Sequence, residues 1–471
     1  MEFFFAILFL LVYYLRPQDW VPGLSGVQLV QPLAFLWILT LLLGRSRPSP
    51  LPGLFRTPHD WILIVYLAYI VFFADGSLSD ILPLLSFYLL TVHSVNTWPR
   101  LLRYLTVWNG ALFAIAAIGV LSQFGFDPTG ARENEFTLMG RLAIGTWLHN
   151  NPNALAHSIV VVIPGAYLLH FWKGTIPGRW ILFPLMAGVT FHCAWLTQSK
   201  GAYLVGASLV LLAFILGKPK WLQATTVAAA LVVGVSALSF LPRMSDMNNL
   251  RGEEGVQGRL LAWEMARSSE ESNPTGVGWQ EFIAMVPWKE GNQHLIVPKA
   301  THSSYVQVGA DLGRYGLFLY LAGIWCALHT LLAFKASDTT QERCRRVLLV
   351  FLIANVLSGW MINRQYHTEY FLLIAASAAL HRLKKAEESV TVGDGSPAPT
   401  DTPPGAVRRP PRPEPAGGGL EPVPVPAFVP ARPAPPINKP FWNRFGILDF
   451  ATCIGLTWLT FRTWDYVLKN L

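Results

Sequence analysis

The chain has 471 residues, of which 52% are hydrophobic and only 14% are charged, with a formal net charge of +8. Soluble globular domains carry about 25% charged residues, so this composition excludes an ordinary soluble protein. The 28 phenylalanines and 18 tryptophans are typical of a membrane protein with aromatic belts. The basic residues are scattered over short loops and a tail, which indicates membrane topology and no nucleic-acid partner.

Apolar stretches of about 20 residues, long enough to cross the hydrocarbon core as helices, recur along most of the chain. They predict an all-α fold, a polytopic transmembrane helical bundle of about 12 spans. The predicted spans are 2–15, 27–44, 60–75, 79–95, 101–122, 154–172, 180–197, 201–217, 221–241, 304–334, 346–363 and 367–381. The first has no preceding basic region and no cleavage site, so we expect it to be retained.

Lysines and arginines alternate between successive short loops, which predicts a cytoplasmic N-terminus in a bacterial inner membrane. Arg16 alone falls on the wrong side. Segments 123–153, 198–200, 242–303 and 364–366 then face outward. The residues that set this orientation are Arg45, Arg47, Arg56, Arg100, Arg103, Lys173, Arg179, Lys218, Lys220, Lys335, Arg343, Arg345, Arg346, Arg382, Lys384 and Lys385.

A large extracytoplasmic loop, 242–303, separates the ninth and tenth predicted spans. Its stretch "GRLLAWEMARSSEE" predicts a helix, and the following "SNPTGVG" predicts the end of that helix. Acidic and basic residues are mixed along the loop. We therefore expect a small folded cap on the outer face.

The composition changes after the membrane domain, for which the predicted range is 1–385. Residues 386–438 are rich in proline and predict a disordered or polyproline II cytoplasmic linker that could recruit a cytoplasmic partner. The C-terminal segment, 439–471, is apolar again. Its part 446–463 is either a further span or an interfacial helix, and Asp449 with the nearby tryptophans favours the interface.

His302 opens the stretch "HSSYVQVGADLGRYG" behind the long outer loop. Thr301 and Ser303 are good N-cap residues, so a helix should begin there. The positive potential of a helix N-terminus lowers the pKa of a nearby histidine and favours neutral imidazole, which accepts protons. The alternative is a histidine that only caps an interfacial helix.

Lysine and arginine side chains near the same face are candidates for binding phosphate. Lys200 follows "TQS" at an outer helix start, and Arg259 lies on the loop helix, where a guanidinium suits a diphosphate. The alternatives are a lysine that reaches the membrane interface and a solvated surface arginine. The four cysteines show no disulfide or zinc spacing, and we expect no metal or cofactor.

Arg141 and Asn153 belong to "GRLAIGTWLHNNPNALA", and Arg364 belongs to "NRQYHTEY". Asn153 either caps the following helix or binds sugar hydroxyls. Arg364 either anchors the chain at the interface or adds charge to an outer cavity. All of these candidates face outward in one topology, which favours a lipid-linked diphosphate at the membrane surface.

These motifs resemble the O-antigen ligase and O-antigen polymerase superfamily of bacterial membrane proteins. The family has His, then Asn, Ser or Gln, nine residues and G-x-x-G, which His302, Ser303, Gly313 and Gly316 fit. "TQSKGAYL" is similar to T-x-S-R-G-A-x-L, with Lys200 in place of arginine. "GRLLAW", "NPTGVGWQEF" and "NNPNALA" are similar to further family motifs. The resemblance covers about 135–382, with the motifs in order.

The resemblance implies metal-independent, inverting transfer of an undecaprenyl-diphosphate-linked glycan at the outer face of the cytoplasmic membrane. His302 would be the base, Arg259 and Lys200 would hold the diphosphate, and Arg141 and Arg364 are further candidates. Asn153 and Ser303 are candidates for glycan contact. The acceptor would be lipid A core, a growing glycan or protein, and membrane lipids would surround the bundle.

Two other classes of function stay open from the sequence. A transporter of lipid-linked oligosaccharides would show polar residues near the midplane and repeated halves, and the sequence shows no convincing repeat. A non-catalytic scaffold of polysaccharide assembly would need neither polar residues near the midplane nor repeated halves. The motifs do not separate a ligase from a polymerase, because only the acceptor differs.

Overall fold

A computed structural model describes residues 1–43, 55–238, 254–290, 293–393, 441–442 and 444–470 of the chain. The described part is mainly helical. The helices are α1 (Glu2–Leu15), α2 (Val30–Leu43), α3 (Pro58–Phe73), α4 (Leu78–Ser94), α5 (Trp98–Ser122), α6 (Glu135–Leu138), α7 (Pro152–Ile159), α8 (Val162–Ala166), α9 (Phe183–Thr197), α10 (Lys200–Ile215), α11 (Lys220–Leu238), α12 (Glu254–Ser272), α13 (Ser304–Ala333), α14 (Thr339–Ser358), α15 (Thr368–Gly393) and α16 (Ile447–Asn470). One antiparallel hairpin joins β1 (Ala284–Glu290) to β2 (Gln293–Lys299).

Each predicted span coincides with a helix or with a pair of joined helices. Within the described residues, four helical segments are long and apolar enough to cross a membrane: Trp98–Ser122, Pro152–Phe171, Gly178–Thr197 and Ser304–Ala333. The segments Pro152–Phe171 and Gly178–Thr197 join α-helix to π-helical turns. These helices make the chain an integral membrane protein, while the number of twelve spans stays a prediction.

Polar side chains fix where several helices begin. Thr57 and Asp60 form a reciprocal capping box at the start of α3. Thr97 and Asp338 accept hydrogen bonds from backbone amides in the first turns of α5 and α14. Proline in the first turn of α3 and α5 strengthens the same boundaries, because it is preorganised for that position.

The helix predicted in the outer loop is confirmed as α12, but the loop also contains a hairpin that the sequence patterns did not predict. Ala262 of α12 packs against Ala284 and Val286 of β1. Trp263 donates a hydrogen bond from Nε1 to the carbonyl oxygen of Thr301, at 2.7 Å. The loop is therefore a small folded unit whose helix contacts the residue before His302. Its first part, 242–253, lies outside the described residues.

Helix α13 is the central element, and it is broken at Gly313. The φ of Gly313 is 65° in the left-handed region, and a Cβ there would lie 2.0 Å from the carbonyl oxygen of Pro274. Glycine is therefore required. The break leaves helix carbonyls free, and the amides of Val277 and Gly278 donate to Ala310 and Asp311. The "SNPTGVG" segment therefore supplies hydrogen-bond donors for carbonyls that the break at the G-x-x-G motif leaves free.

Helix α3 runs antiparallel to α13 and shows which ends of the bundle correspond. Tyr69, near the end of α3, donates to the carbonyl of Leu312, at 2.9 Å. His59, in the first turn of α3, lies 3.2 Å from the hydroxyl of Thr330 near the other end of α13. The start of α3 and His302 are therefore at opposite ends of the bundle.

The C-terminal helix, α16, packs along α13, while its placement across the membrane or at the interface stays a prediction. Asp449, near its start, accepts a hydrogen bond from Trp325, and Trp464, near its end, packs over Gly309. Sixteen helical positions separate Gly309 from Trp325, or about 24 Å at 1.5 Å per residue. Helix α16 thus runs beside α13 over about that distance, although it is not among the four segments that are long and apolar enough to cross a membrane.

The chain divides into two compact units, Met1–Leu383 with Trp442–Leu471, and Lys384–Phe441. In the second unit, the predicted linker begins later than expected, because α15 continues through 386–393 to its end at Gly393. The rest of that predicted linker, 394–438, lies outside the described residues. All candidate site residues belong to the first unit.

Candidate functional site

The polar face of the bundle is organised around the first turn of α13. Ser303 is the N-cap, and its hydroxyl accepts from the amide of Val306 at 3.4 Å. The predicted start of the helix is confirmed. Ser303 is fully buried and also donates to the carbonyl of Gly359, at 3.3 Å. These contacts give Ser303 a capping role and leave little of its hydroxyl to contact a glycan.

His302 lies immediately before the cap with a φ of 51°, in the left-handed region that few non-glycine residues adopt. Gln198, in the "TQSK" turn, has a φ of 52°. Backbone conformations of this kind are strained and concentrate at functional sites. The turns at His302 and Gln198, which belong to two of the family-like motifs, therefore both contain a strained residue.

The imidazole of His302 is half-buried and close to two cations. Burial, and then the charges of Arg259 and Lys299, lower the pKa of His302 to about 4. The lowered pKa agrees with the predicted neutral imidazole, and burial is its leading cause. Arg259 is half-buried on α12, so the loop helix brings its charge to the histidine across about 40 residues of sequence.

The "NNPN" and "TQSK" motifs meet at the starts of α7 and α10. Arg141 donates to Asn153 Oδ1 at 3.1 Å and to the carbonyl of Thr197 at 3.2 Å. The hydroxyl of Ser199 donates to the same Asn153 oxygen at 2.9 Å. Lys200, half-buried, begins α10 directly after Ser199. Asn153 thus holds Arg141 and Ser199, the residue before Lys200, at one place.

Asn153 is not the N-cap of α7, as one reading of the motif predicted. Asn151 is the cap, and its side chain accepts from the amide of Asn153 at 2.9 Å. This frees the Asn153 side chain for Arg141 and Ser199. Its role in binding sugar stays a prediction.

Arg364 joins the start of α7 to the turn before α15. It is only 7% exposed and donates to the carbonyl of Ala154 at 2.7 Å, while Glu369 lies 3.3 Å away as an ion-pair partner. Its backbone amide donates to Ser304 Oγ at 3.0 Å. These contacts favour a positioning role for Arg364 over direct binding of a diphosphate.

His157 is a functional candidate that the sequence reasoning missed. Its Nδ1 lies 2.9 Å from the hydroxyl of Ser358, and its Nε2 lies 3.3 Å from the place that a Cβ on Gly201 would occupy. It also interacts electrostatically with Arg259. Its position one helical turn after Asn153 was the available signal, since residues four apart share a face.

The N-terminal segment, which the motifs did not map, also reaches this face. The guanidinium of Arg16 lies 5.1 Å from the ring centroid of Trp147, and Trp147 stacks on His367 at 5.6 Å. Asp19 accepts from the backbone amide of Trp147 at 2.8 Å. Arg16 therefore has a partner, Trp147, at this end of the bundle, which accounts for its exception to the alternation of basic residues between loops.

An apolar groove of about 580 Å³ lies between α7, α9 and α10. Val160, Phe191, Ala202, Tyr203 and Phe214 are among its lining residues. Ala202 and Tyr203 follow Lys200 within one turn of α10. The groove therefore begins beside the cationic cluster and continues along the apolar part of the bundle.

Apolar helices with histidines and cations gathered at one end define an integral membrane protein with a polar site at the ends of its helices. Residues 184–321 match the family described as O-antigen ligase. This segment includes Lys200, Arg259, His302 and the G-x-x-G motif, and the match confirms the resemblance that the motifs predicted. No curated protein matches the chain. At the level of the family, the match indicates an enzyme of glycan transfer.

Proposed function

We propose that this protein transfers or polymerises a glycan from an undecaprenyl diphosphate carrier at the outer face of the inner membrane, with its N-terminus in the cytoplasm. The observation that carries the proposal is that Arg259 acts electrostatically on both His302 and His157, while His157 lies beside Gly201, the residue after Lys200. The family match over 184–321, which includes Lys200, Arg259 and His302, supports it.

The donor diphosphate would lie near Arg259 and Lys200. Guanidinium and ammonium groups neutralise phosphate oxygens, and Arg259 also offers a bidentate fork. Arg141, fixed by Asn153, is a third cation near Lys200. The isoprenoid chain would extend into the apolar groove that begins at Ala202 and Tyr203. Cation and groove together match the two chemical halves of a lipid-linked diphosphate.

The transfer step needs one proton acceptor and one stabilised leaving group. His302 takes the proton of the acceptor hydroxyl, the hydroxyl oxygen attacks the anomeric carbon, and the bond to the diphosphate oxygen breaks with inversion. The electrons of that bond remain on the diphosphate, where Arg259 and Lys200 stabilise the charge. The acceptor is lipid A core, a growing glycan or protein.

Binding of the donor would also make His302 a better base. Arg259 lowers the pKa of His302 in the free protein. A diphosphate on Arg259 adds negative charge beside the imidazole, which favours the protonated form and raises the pKa. The histidine would therefore gain basicity only when a donor is in place.

The test is complementation of a deletion strain with wild type, His302→Ala and the control His192→Ala, an exposed histidine of α9. Lipopolysaccharide and free polymer are separated on a gel, and protein levels are measured. We expect His302→Ala to lose the product, because general base catalysis contributes about 10²- to 10⁴-fold. His192→Ala should behave as wild type.

The gel pattern also separates the subtypes. Loss of polymer on lipid A core, with accumulation of lipid-linked polymer, identifies a ligase. Loss of long chains, with single repeat units left, identifies a polymerase. A wild-type pattern for His302→Ala at a normal protein level would refute the catalytic proposal.

A further inference from the structure

A second pocket, of about 350 Å³, opens beside the start of α13 beneath the hairpin. This volume lies within the range of about 300–1,000 Å³ that is usual for small-molecule sites. The polar residues that line it are Gln280, Lys299, Gln307, Asp311, Asn363, Gln365 and Tyr366. The proposed donor site uses none of these amide side chains.

Asp311 fixes three walls of the pocket. Its carboxylate is fully buried and accepts from the amide of Phe282 at 2.9 Å, from the hydroxyl of Tyr366 at 2.8 Å and from the amide group of Gln307 at 3.2 Å. The hairpin, the turn before α15 and α13 are thereby tied together. The pocket is built before any ligand arrives, which reduces the entropic cost of binding.

Thr301 holds two of the amide side chains that line the pocket, those of Gln307 and Asn363. Its hydroxyl lies 3.1 Å from Gln307 Oε1 and 3.0 Å from Asn363 Oδ1. Thr301 directly precedes His302, so these two amide side chains are held by the residue next to the proposed base. Lys299 lines the pocket and also acts electrostatically on His302.

Gln365 has a buried side-chain oxygen whose capacity to accept a hydrogen bond is not used within the described residues. Its side chain is only 7% exposed, and its Oε1 is buried without a hydrogen-bond partner among the described residues. Buried polar atoms in native proteins are nearly always paired, so such an atom calls for an explanation. Because this oxygen is buried, the Gln365 side chain, which lines the pocket, would turn to accept a hydrogen bond from a ligand hydroxyl.

The lining selects one ligand chemistry. A carboxylate at the wall disfavours a second diphosphate, and the dense amide lining disfavours an isoprenoid chain. Amides, a lysine and a tyrosine hydroxyl suit a ligand with many hydroxyl groups, because they offer donors and acceptors in several directions. Tyr366 is rigid, since its ring packs on Trp279 at 4.1 Å.

We propose that this pocket binds a pyranose ring of the glycan substrate and that Gln365 accepts a hydrogen bond from one of its hydroxyls. The proposal rests on the proposed function, because it places a sugar beside His302. The sugar belongs either to the acceptor or to the end of the donor glycan.

The experiment measures binding of two lipid-free probes to the full-length purified protein in nanodiscs by calorimetry. One probe is core oligosaccharide released from lipopolysaccharide, and the other is the repeat-unit oligosaccharide. The variant is Gln365→Leu. The matched control is Gln18→Leu, because Gln18 also has a buried unpaired Oε1 but does not line this pocket.

We expect Gln365→Leu to weaken binding about tenfold, as the loss of one hydrogen bond to a ligand would do, and Gln18→Leu to bind as wild type. Binding of core oligosaccharide identifies an acceptor subsite, and binding of the repeat unit identifies a donor subsite. Gln280→Ala is a second variant, because Gln280 lines the pocket but is exposed and its loss should not impair folding. It should weaken binding less.

The proposal is overturned if neither probe binds the wild type, or if both glutamine variants of the pocket bind like Gln18→Leu. His302→Ala distinguishes this failure from failure of the proposed function. If sugar binding depends on Gln365 while His302→Ala still transfers glycan, the pocket stands and the assigned base is wrong. If His302→Ala is inactive but sugar binding does not depend on Gln365, the assigned base stands and the pocket proposal is wrong.

Discussion

The two ends of the bundle both contain buried charged and polar groups, but they differ in what those groups contact. At the end opposite His302, Asp60 is 1% exposed and accepts from Tyr88 at 2.6 Å, from Arg382 at 2.8 Å and from the amides of Arg56 and Thr57. In this group, the Asp60 cluster, the bonds to Arg56 and Thr57 cap the start of α3, and those to Tyr88 and Arg382 join it to α4 and α15.

At the His302 end, polar groups border open volume beside residues of the family-like motifs. The polar pocket and the apolar groove open beside the starts of α13 and α10. Two turns there are strained at His302 and Gln198, and Gln365 has an oxygen without a partner among the described residues. The comparison shows that buried charge by itself does not mark a site. Strained residues, open volume and buried atoms without a partner among the described residues also occur at the opposite end, at Phe55, beside Lys173 and at His59 Nδ1. What singles out the His302 end is that these features coincide with the segment that matches the family.

The strongest test of this contrast is removal of Arg259. We expect Arg259→Ala to lower kcat/KM by about 10²- to 10³-fold, the usual loss for one group that stabilises developing charge. Arg259→Lys should lose less, because it keeps the charge but not the fork. Transfer by purified protein is the measurement. Arg103→Ala, an exposed arginine of α5, is the control, and an equal loss there would contradict the assignment.

Removal of the Asp60 carboxylate should break stability and leave the chemistry intact. Asp60→Asn leaves Arg382 without its charged partner, and breaking a buried pair costs about 3–5 kcal/mol. The thermal unfolding of purified protein should therefore move to lower temperature. The protein that remains folded should transfer glycan at the normal rate. Loss of activity without loss of stability would show that this end is also functional.

The pH dependence should distinguish free protein from the donor complex. With a pKa of about 4, His302 is neutral near pH 7 and becomes protonated, and unable to accept a proton, only on acidification through that value. The acid limb of kcat/KM, which reports the free enzyme, should therefore lie near pH 4. The acid limb of kcat should lie higher, because bound diphosphate favours imidazolium. If the acid limbs of kcat and kcat/KM coincide, the bound donor does not raise the pKa of His302.

The smallest effect should come from Lys200→Arg. Both side chains carry one positive charge at the start of α10, so we expect kcat/KM to change by less than about tenfold. Lys200→Ala should lose more, because it removes the charge beside Arg141 and the groove. If Lys200→Arg is inactive, or if Lys200→Ala is unaffected, Lys200 does not hold the donor.

The sequence by itself determined the membrane class, the positions of the apolar helices and the start of α13. These features depend on local patterns: apolar length, charge alternation and capping residues near Ser303. It also indicated His302, Lys200 and Arg259 as candidate site residues, because their motifs are short and contiguous. The resemblance to the O-antigen ligase family followed from the same local signals, and the family match confirms it over 184–321.

Only the tertiary structure decided which of these residues meet and what else joins them. His157, the hairpin, the Gln365 pocket and the path of α16 along α13 depend on contacts between segments far apart in the chain. The pKa of His302 follows mainly from burial, which no neighbouring residue in the sequence encodes. Local sequence patterns set the helices, whereas burial and unsatisfied atoms arise only when the helices pack.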